Sequence, residues 1–261
     1  MIKITIATVC YNAAHLLPAT LSSVAEQDYP AVEHLIVDGA STDGTAALLA
    51  DYQAQMASTA AQHHERVVLS EPDKGIYDAM NKALGLATGQ YILFLNAGDR
   101  LHSATTLRRI VESLPTEGET SLPAVLYGDT HLVDEEGHFL RRRRLSPPER
   151  LHWESFSQGM LVCHQAFFAR TDLAQQHRYD LRYRFSADFD WCIRILRAAD
   201  EASLPLHNTH LVVADYLSEG TTTRHHKASL RERFTIMCRH YGFFSTLMLH
   251  AWFVVRALVL R

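Results

Sequence analysis

The chain has 261 residues, enough for one large domain or two small ones and for a sizeable buried core. Hydrophobic residues make up 47% and charged residues 21%, which excludes a disordered or collagen-like chain. The net charge of −4 argues against a nucleic-acid binder, and four scattered cysteines without a CxxC pair argue against a structural zinc site or a disulfide framework.

The first hundred residues alternate between two patterns. Ile2–Val9, His34–Val37, Arg66–Leu69 and Tyr91–Leu95 are short apolar runs that predict buried strands. Between them, His15–Gln27, Asp43 to about Gln55 and Ile76–Ala87 carry helical spacing, with Ser41-Thr42-Asp43 as a capping cluster for the second helix. The polar stretch Gln53–His64 reads as a helix end and a loop. Strands separated by helices of ten or more residues imply βαβ units and a parallel sheet covered on both faces.

After Asp99 the pattern changes. A helix near Ala104–Ser113 leads to a strand pair, Ala124–Val133 and His138–Arg142, turning at Asp134–Gly137. Beyond the Pro147-Pro148 break, Met160–Cys163, His164–Arg170 and a helix over Ala187–Ala199 complete the core. A helical tail begins near Ala228. From Arg224 to Arg261 seven basic residues face one acid, Glu232, and Phe243–Leu260 is almost wholly apolar. Arg256 leaves that run too short to span a bilayer, so a helix lying against an anionic membrane surface is expected, with docking on the protein's own core or on another subunit as the alternative.

The common glycine and histidine motifs are missing. No GxGxxG, HExxH or GxSxG occurs, and the Gly39–Gly44 spacing of a P-loop has Thr45 where the lysine belongs. The sixteen histidines show no ligand spacing along the chain. What remains is polar residues at four successive strand ends: Tyr11–Asn12, Asp38–Ser41, Glu71–Gly75 and Asn96–Asp99. Ligands of open α/β sheets bind outside such ends, so the four loops read as one crevice.

The segments TVCYNAAHLLPATLSSVAEQDYPAVEHLIVDGASTDGT and EPDKGIYDAMNKALGLATGQYILFLNAGD closely resemble the family 2 glycosyltransferases of the GT-A fold. The resemblance is nearest to the bacterial branch that builds capsule, exopolysaccharide and O-antigen. It continues more loosely through CHQAFFAR and SADFDWCIRI to about Arg197. It implies a GT-A fold with a mostly parallel central sheet flanked by helices. The expected organisation is a transferase domain over 1–223, divided into a nucleotide-binding half (1–99) and an acceptor half (100–223), with a helical tail over 224–261.

The resemblance also implies roles. Asp38 bonds the nucleotide base, and Thr8, Val9 and Tyr11 line base and ribose, Val9 replacing the more usual proline. Lys74 and Gly75 approach the sugar diphosphate, where lysine gives a point charge and glycine allows close backbone approach. Asp78 and Asn81, three apart on the next helix, share a face that could look into the site. Asn96–Asp99 occupies the place of a DxD-type metal motif. Asn96 stands in its first acidic position, which leaves Asp99 as the carboxylate for Mn²⁺ or Mg²⁺, with Gly98 beside it.

The resemblance implies that the catalytic base lies in Ser186–Trp191, which matches the family's acidic motif at the start of a helix. Asp188 and Asp190 diverge by about 200° around a helix, so only one can face the sugar. Asp188 aligns with the family's base, and Asp190 is the alternative. His164-Gln165 resembles a segment near the acceptor, and a core or capping histidine is an equal reading. Ser218–Thr222 resembles a loop closing over the donor, with His225 or His226 near the diphosphate. The expected partners are a nucleotide-sugar donor and a saccharide acceptor, lipid-linked by reason of the tail, at the inner face of the cytoplasmic membrane. A sugar nucleotidyltransferase or a non-catalytic sugar-nucleotide-binding module would share the crevice but would not need Asp188.

Overall fold

The computed structural model describes residues 1–54, 64–115, 121–218 and 226–259. In chain order the elements are β1 (Ile4–Cys10), α1 (Leu17–Ala25), β2 (Val32–Asp38), α2 (Thr45–Ala54), β3 (Glu65–Ser70), α3 (Ile76–Leu86) and β4 (Tyr91–Phe94). They are followed by β5 (Arg100–Leu101), α4 (Thr106–Glu112), β6 (Val125–Val133), β7 (Phe139–Arg142), β8 (Phe167–Arg170) and α5 (Thr171–Gln176). Last come α6 (Ala187–Glu201), β9 (Leu206–Leu217), α7 (His226–Tyr241) and α8 (Phe243–Val259). Two 3₁₀ turns, Trp153–Gln158 and His164–Ala166, precede β8.

The strands form one sheet in the order β3-β2-β1-β4-β8-β6-β9-β5, with β7 paired to β6. The first four are mutually parallel. In the second half β8 runs antiparallel between β4 and β6, and β6 pairs β9 in parallel. Most of the strand register is therefore parallel. The chain winds outward from β1 to β2 and β3, then returns to place β4 on the other side of β1. That reversal opens a crevice at the carboxyl ends of β1 and β4.

Period-two alternation divides the core. Ala7, Val9, Ile92 and Phe94 face α3 and α6, whereas Ile4, Ile6 and Leu93 face Val24 of α1 and Leu107 and Ile110 of α4. All seven residues of β1 and of β2 are buried, the polar Thr5, Thr8, Glu33, His34 and Asp38 among them. On the first face Trp191 stacks on Tyr179 and meets Phe94 and Phe167 edge-on, so α6 is keyed to the sheet by aromatic contacts.

Asp43 Oδ1 accepts from Thr45 N–H at 2.9 Å and starts α2 as the sequence predicts. Most of the loop expected after α2 (55–63) lies outside the described residues. Met160–Cys163 forms no regular element. β9 was not legible in the sequence, although it pairs β6 over eight residues and carries β5 on its other edge.

The tail packs on the core. Ile236 and Met237 of α7 are buried in the α6 cluster, and Glu232 accepts from the backbone N–H groups of Arg184 and Phe185, both at 2.8 Å. Gly242, at φ +86°, turns the chain from α7 into α8. Leu249 and Phe253 of α8 pack against the core, while Phe244, Met248, Trp252 and Val255 are exposed.

Candidate active site

Asp38 ends β2 between Cys10 of β1 and Ser70 of β3, the three being register partners. Its carboxylate is buried. Oδ2 accepts from Ser70 Oγ at 2.6 Å and Ser41 N–H at 3.1 Å, while Oδ1 accepts from Ser41 Oγ and, weakly, from Cys10 Sγ at 3.8 Å. Burial, with Asp38's charge beside it, pushes the Cys10 thiol up to about 12, so it stays protonated at neutral pH. Gly39 follows. A Cβ there would lie 2.5 Å from Asp73 Oδ2 and 3.3 Å from the Tyr11 ring, so a larger residue would have to push these two side chains aside. Tyr11 is exposed over this junction.

Two expected base-lining groups do not face open space. Thr8 is fully buried, with its hydroxyl 3.0 Å from His34 Nε2, and the Val9 side chain lies in the core. Only their backbone remains for a ligand.

The third strand end leads into α3. Gly75 precedes the helix at φ +119°, with nothing within 4 Å of where a Cβ would stand. Asp78 accepts from Lys74 N–H at 3.0 Å and Asp73 from Gly75 N–H at 2.7 Å, so both carboxylates hold the helix start. Lys74 is exposed. Asn81 departs from expectation: its amide donates to Tyr179 C=O at 3.0 Å and accepts from Tyr179 N–H at 2.7 Å. Both ends of the amide are spent on the loop before α6.

The fourth strand end meets the acceptor half. Tyr77 OH donates to Asp188 Oδ1 at 3.0 Å, His164 Nδ1 lies 3.3 Å from Asp188 Oδ2, and Asn96 Nδ2 lies 3.1 Å from His164 Nε2. With the Asn96 amide donating, Nε2 accepts and the imidazole proton sits on Nδ1, facing Asp188. Burial pushes the Asp188 carboxyl up, but His164, the Arg233 charge and the Tyr77 hydroxyl outweigh it, leaving the group below its ordinary value. Tyr77, buried beside this carboxylate, is held well above the usual phenol range and remains a donor.

Asp190 is separated from this chain of bonds. It is fully buried, with Oδ2 accepting from Arg194 Nε at 2.7 Å and Oδ1 lying 2.8 Å from His240 Nε2. It clamps α6 to α7. Ser186 occupies the N-cap position of α6 without a side-chain cap bond and turns its hydroxyl to Ser229 Oγ at 2.9 Å.

Asp99 also departs from its expected role. It is 3% exposed, with Oδ2 accepting from Gln165 Nε2 at 2.9 Å and Oδ1 from Leu217 N–H at 3.0 Å. Burial raises its pKa to about 6 despite those bonds. Both of its oxygens are thus already engaged by protein partners. The unpartnered oxygen here is Asn96 Oδ1, which is buried without a hydrogen bond. Hard divalent cations take neutral amide oxygens together with substrate phosphates, so the turn fits such an ion through Asn96 rather than Asp99. Gly98, at φ +99°, borders a cavity of about 230 Å³ that is also lined by His15, Arg100 and Glu135. Residues 219–225, including most of the expected closing loop and His225, lie outside the described residues, as does the His226 side chain.

The sequence profile of glycosyl transferase family 2 matches residues 5–176. The chain belongs to this family. A PGL/p-HBAD biosynthesis glycosyltransferase of Mycobacterium bovis is 34% identical over 215 residues, covering 80% of this chain and 74% of the relative. The amylovoran biosynthesis glycosyltransferase AmsB of Erwinia amylovora is 27% identical over 221 residues, covering 81% and 70%.

Among solved structures, this family 2 glycosyltransferase is similar to S. aureus TarS 1–349 in complex with UDP. The TM-score is 0.67 at 16% identity, covering 97% of this chain and 71% of that one. It spans 43% of a longer TarS chain. The mannosyltransferase PcManGT of Pyrobaculum calidifontis, in complex with GDP-Man and Mn²⁺, gives 0.66 at 16% identity, covering 95% and 70%. These likenesses establish the GT-A fold.

Proposed function

We propose that this glycosyltransferase is inverting and moves a sugar from a nucleotide-sugar donor to a saccharide acceptor in cell-surface polysaccharide or glycolipid synthesis. The observation that carries the reading is the Asp188 carboxylate, 13% exposed, oriented by Tyr77 and His164 beside the β4 turn. The second acid of its motif, Asp190, is locked in a clamp. Solved structures of the same fold hold UDP, UDP-GlcNAc and GDP-Man, which supports a nucleotide-sugar donor along the strand ends.

On this reading Asp38 and Tyr11 receive the nucleoside, and the backbone of Thr8 and Val9 lines it. Lys74 and Gly75 lie toward the diphosphate, with Asp78 fixing their loop. A divalent cation, held by Asn96 Oδ1 and the donor's phosphates, would neutralise charge on the departing diphosphate. Asp188 takes the proton from an acceptor hydroxyl as that oxygen attacks the anomeric carbon from the face opposite the leaving group, which inverts the centre. A positioned base contributes about 10²–10⁴-fold to the rate. His164 holds Asp188 in place, and Asp99 with Gln165 pins Leu217 against the Asn96 turn.

The acceptor is lipid-linked on this reading, because α8 offers an apolar face to an anionic membrane surface. Among the described residues no helix is long and apolar enough to cross a membrane. Residues 1–223 act as the transferase unit, and 224–261 as the tail that brings it to the surface. Asp188→Asn decides the catalytic part: donor binding, read by a thermal shift with nucleotide-sugars, should persist while transfer is lost. Transfer near the wild-type rate would refute the assignment.

A further inference from the structure

Three strands bring together a group of side chains that their sequence spacing concealed. Both β5 and β6 pair with β9, and both place a partner at Asp215: Arg100 on one side and His131 on the other. His102 continues the β5 edge, its N–H donating to Val213 C=O at 3.0 Å. Alternation puts His102, Asp215 and His131 on one face, where directly opposed and diagonal neighbours come within reach.

The side chains do converge. His102 Nδ1 lies 2.8 Å from Asp215 Oδ1, and one ligand atom from each of the three residues lies within 4.8 Å of the others. The two imidazoles meet edge-to-face with centroids 5.1 Å apart, and the Phe139 ring packs on His131 at 4.8 Å. His131 and Asp215 are half-buried and His102 is exposed, so the group is supported from below and open above.

We infer that His102, His131 and Asp215 form a binding site for one transition-metal dication of the zinc type. Two imidazoles and a carboxylate with a fourth position open to water are a ligand set that zinc favours, whereas magnesium and calcium prefer all-oxygen sites. Ligand atoms bonded to zinc at about 2.0–2.1 Å sit roughly 3.3 Å apart in a tetrahedron. The His102–Asp215 pair is already that close, and a side-chain shift of up to about 1.5 Å brings in His131. The ion takes the place of the hydrogen between His102 and Asp215, the imidazole proton moving to Nε2. Bound there, it ties β5, the strand leaving the Asn96–Asp99 turn, through β9 to β6.

This site is separate from the catalytic crevice. Tyr216, the next residue along β9, points to the other face, where the charges of Asp99 and Asp188 act on its hydroxyl. A second group, Asp134, Glu136 and His138, lies on one exposed turn and provides the control.

The test uses the full chain, stripped with chelator and free of nucleotide, titrated with Zn²⁺ and with Co²⁺ as a spectroscopic probe. One equivalent should bind, with the visible bands of tetrahedral cobalt. At a hundredfold excess over Kd, Zn²⁺ should raise Tm by about 5–10 °C. His131→Ala and His102→Gln should each abolish both signals, and His138→Ala should retain them. Absence of saturable binding at micromolar Zn²⁺, or binding that survives His131→Ala, or binding that is lost in His138→Ala, would overturn the site.

Discussion

His164 Nδ1 lies 3.3 Å from Asp188 Oδ2 while its Nε2 faces Asn96 Nδ2 at 3.1 Å. One imidazole thus joins the proposed base to the turn proposed to meet the donor phosphates. Removing it by His164→Ala deletes the main group that holds the Asp188 carboxyl below its ordinary value against the upward push of burial. The folded-state pKa of Asp188 should rise. A general base works only when ionised, so the acidic limb of the kcat/KM profile should move to higher pH. The pH-independent rate should fall on the order of tenfold, a part of what a positioned base supplies. His164→Gln, which keeps an N–H for Asp188, should recover part of both effects. An unmoved acidic limb would show that His164 does not act on the base.

The parts of this protein that were legible in the sequence are those set by local pattern. The apolar runs of β1, β2 and β4 and the spacing of α1 and α3 give the parallel half, and the long EPDKGIYDAMNK string gives the family. β9 was missed because LHNTHLVVADYL alternates imperfectly and is mostly half-buried, a strand defined by its neighbours rather than its composition. Two of the expected site residues were illegible for a different reason. Asn81 and Asp99 carry the chemistry of ligands, but partners about a hundred residues away, Tyr179 and Leu217, have already taken their polar atoms. Likewise the His102, His131 and Asp215 group depends on strand register, which spacing along one chain does not contain.

Asp99 makes a stability prediction whose sign is opposite to that of a salt-bridged carboxylate. Its pKa in the folded state is raised from an ordinary 3.8 to about 6, because burial outweighs the bonds from Gln165 and Leu217. Between those values the native state binds a proton that the unfolded chain releases, so stability falls as pH rises from about 4 to 6 and is level above. Two units correspond to about 3 kcal/mol at most. Urea unfolding of Asp99→Asn should lack this slope. The same variant should leave Mn²⁺ affinity in the presence of a nucleoside diphosphate unchanged. A large loss of affinity would mean that Asp99 turns out of its pocket to bind the ion.

Asn96 gives the complementary experiment. If its free Oδ1 is the protein's oxygen for the cation, Asn96→Asp places a full charge there and should tighten Mn²⁺ binding about tenfold, or about 1.4 kcal/mol. Isothermal titration with nucleoside diphosphate present reads this directly. The substitution also sets a second carboxylate beside His164, so transfer should become more sensitive to pH than in the wild type. Unchanged Mn²⁺ affinity would place the ion elsewhere.

The tail yields a prediction about the membrane. On α8, Thr246, Leu249 and Phe253 turn to the protein, while Phe244 (81% exposed) and Met248 (71%) face outward with Trp252 and Val255. Each such side chain gains about 1.5–3 kcal/mol when fully removed from water, so even partial burial of four adds up to a usable affinity. Exposed Lys227 and Arg231 on α7 add attraction to anionic headgroups, at about 1 kcal/mol each near the surface, and salt screens it. The protein should therefore sediment with vesicles containing anionic lipid and much less with neutral ones, and raised salt should weaken it. Met248→Glu with Trp252→Glu changes only outward positions, so the fold and the turnover of a water-soluble acceptor analogue should persist. Vesicle binding should fall at least tenfold, because two apolar contacts are lost and two charges are repelled. Binding that is equal for wild type and variant, or indifferent to anionic lipid, would show that this face serves something other than a bilayer.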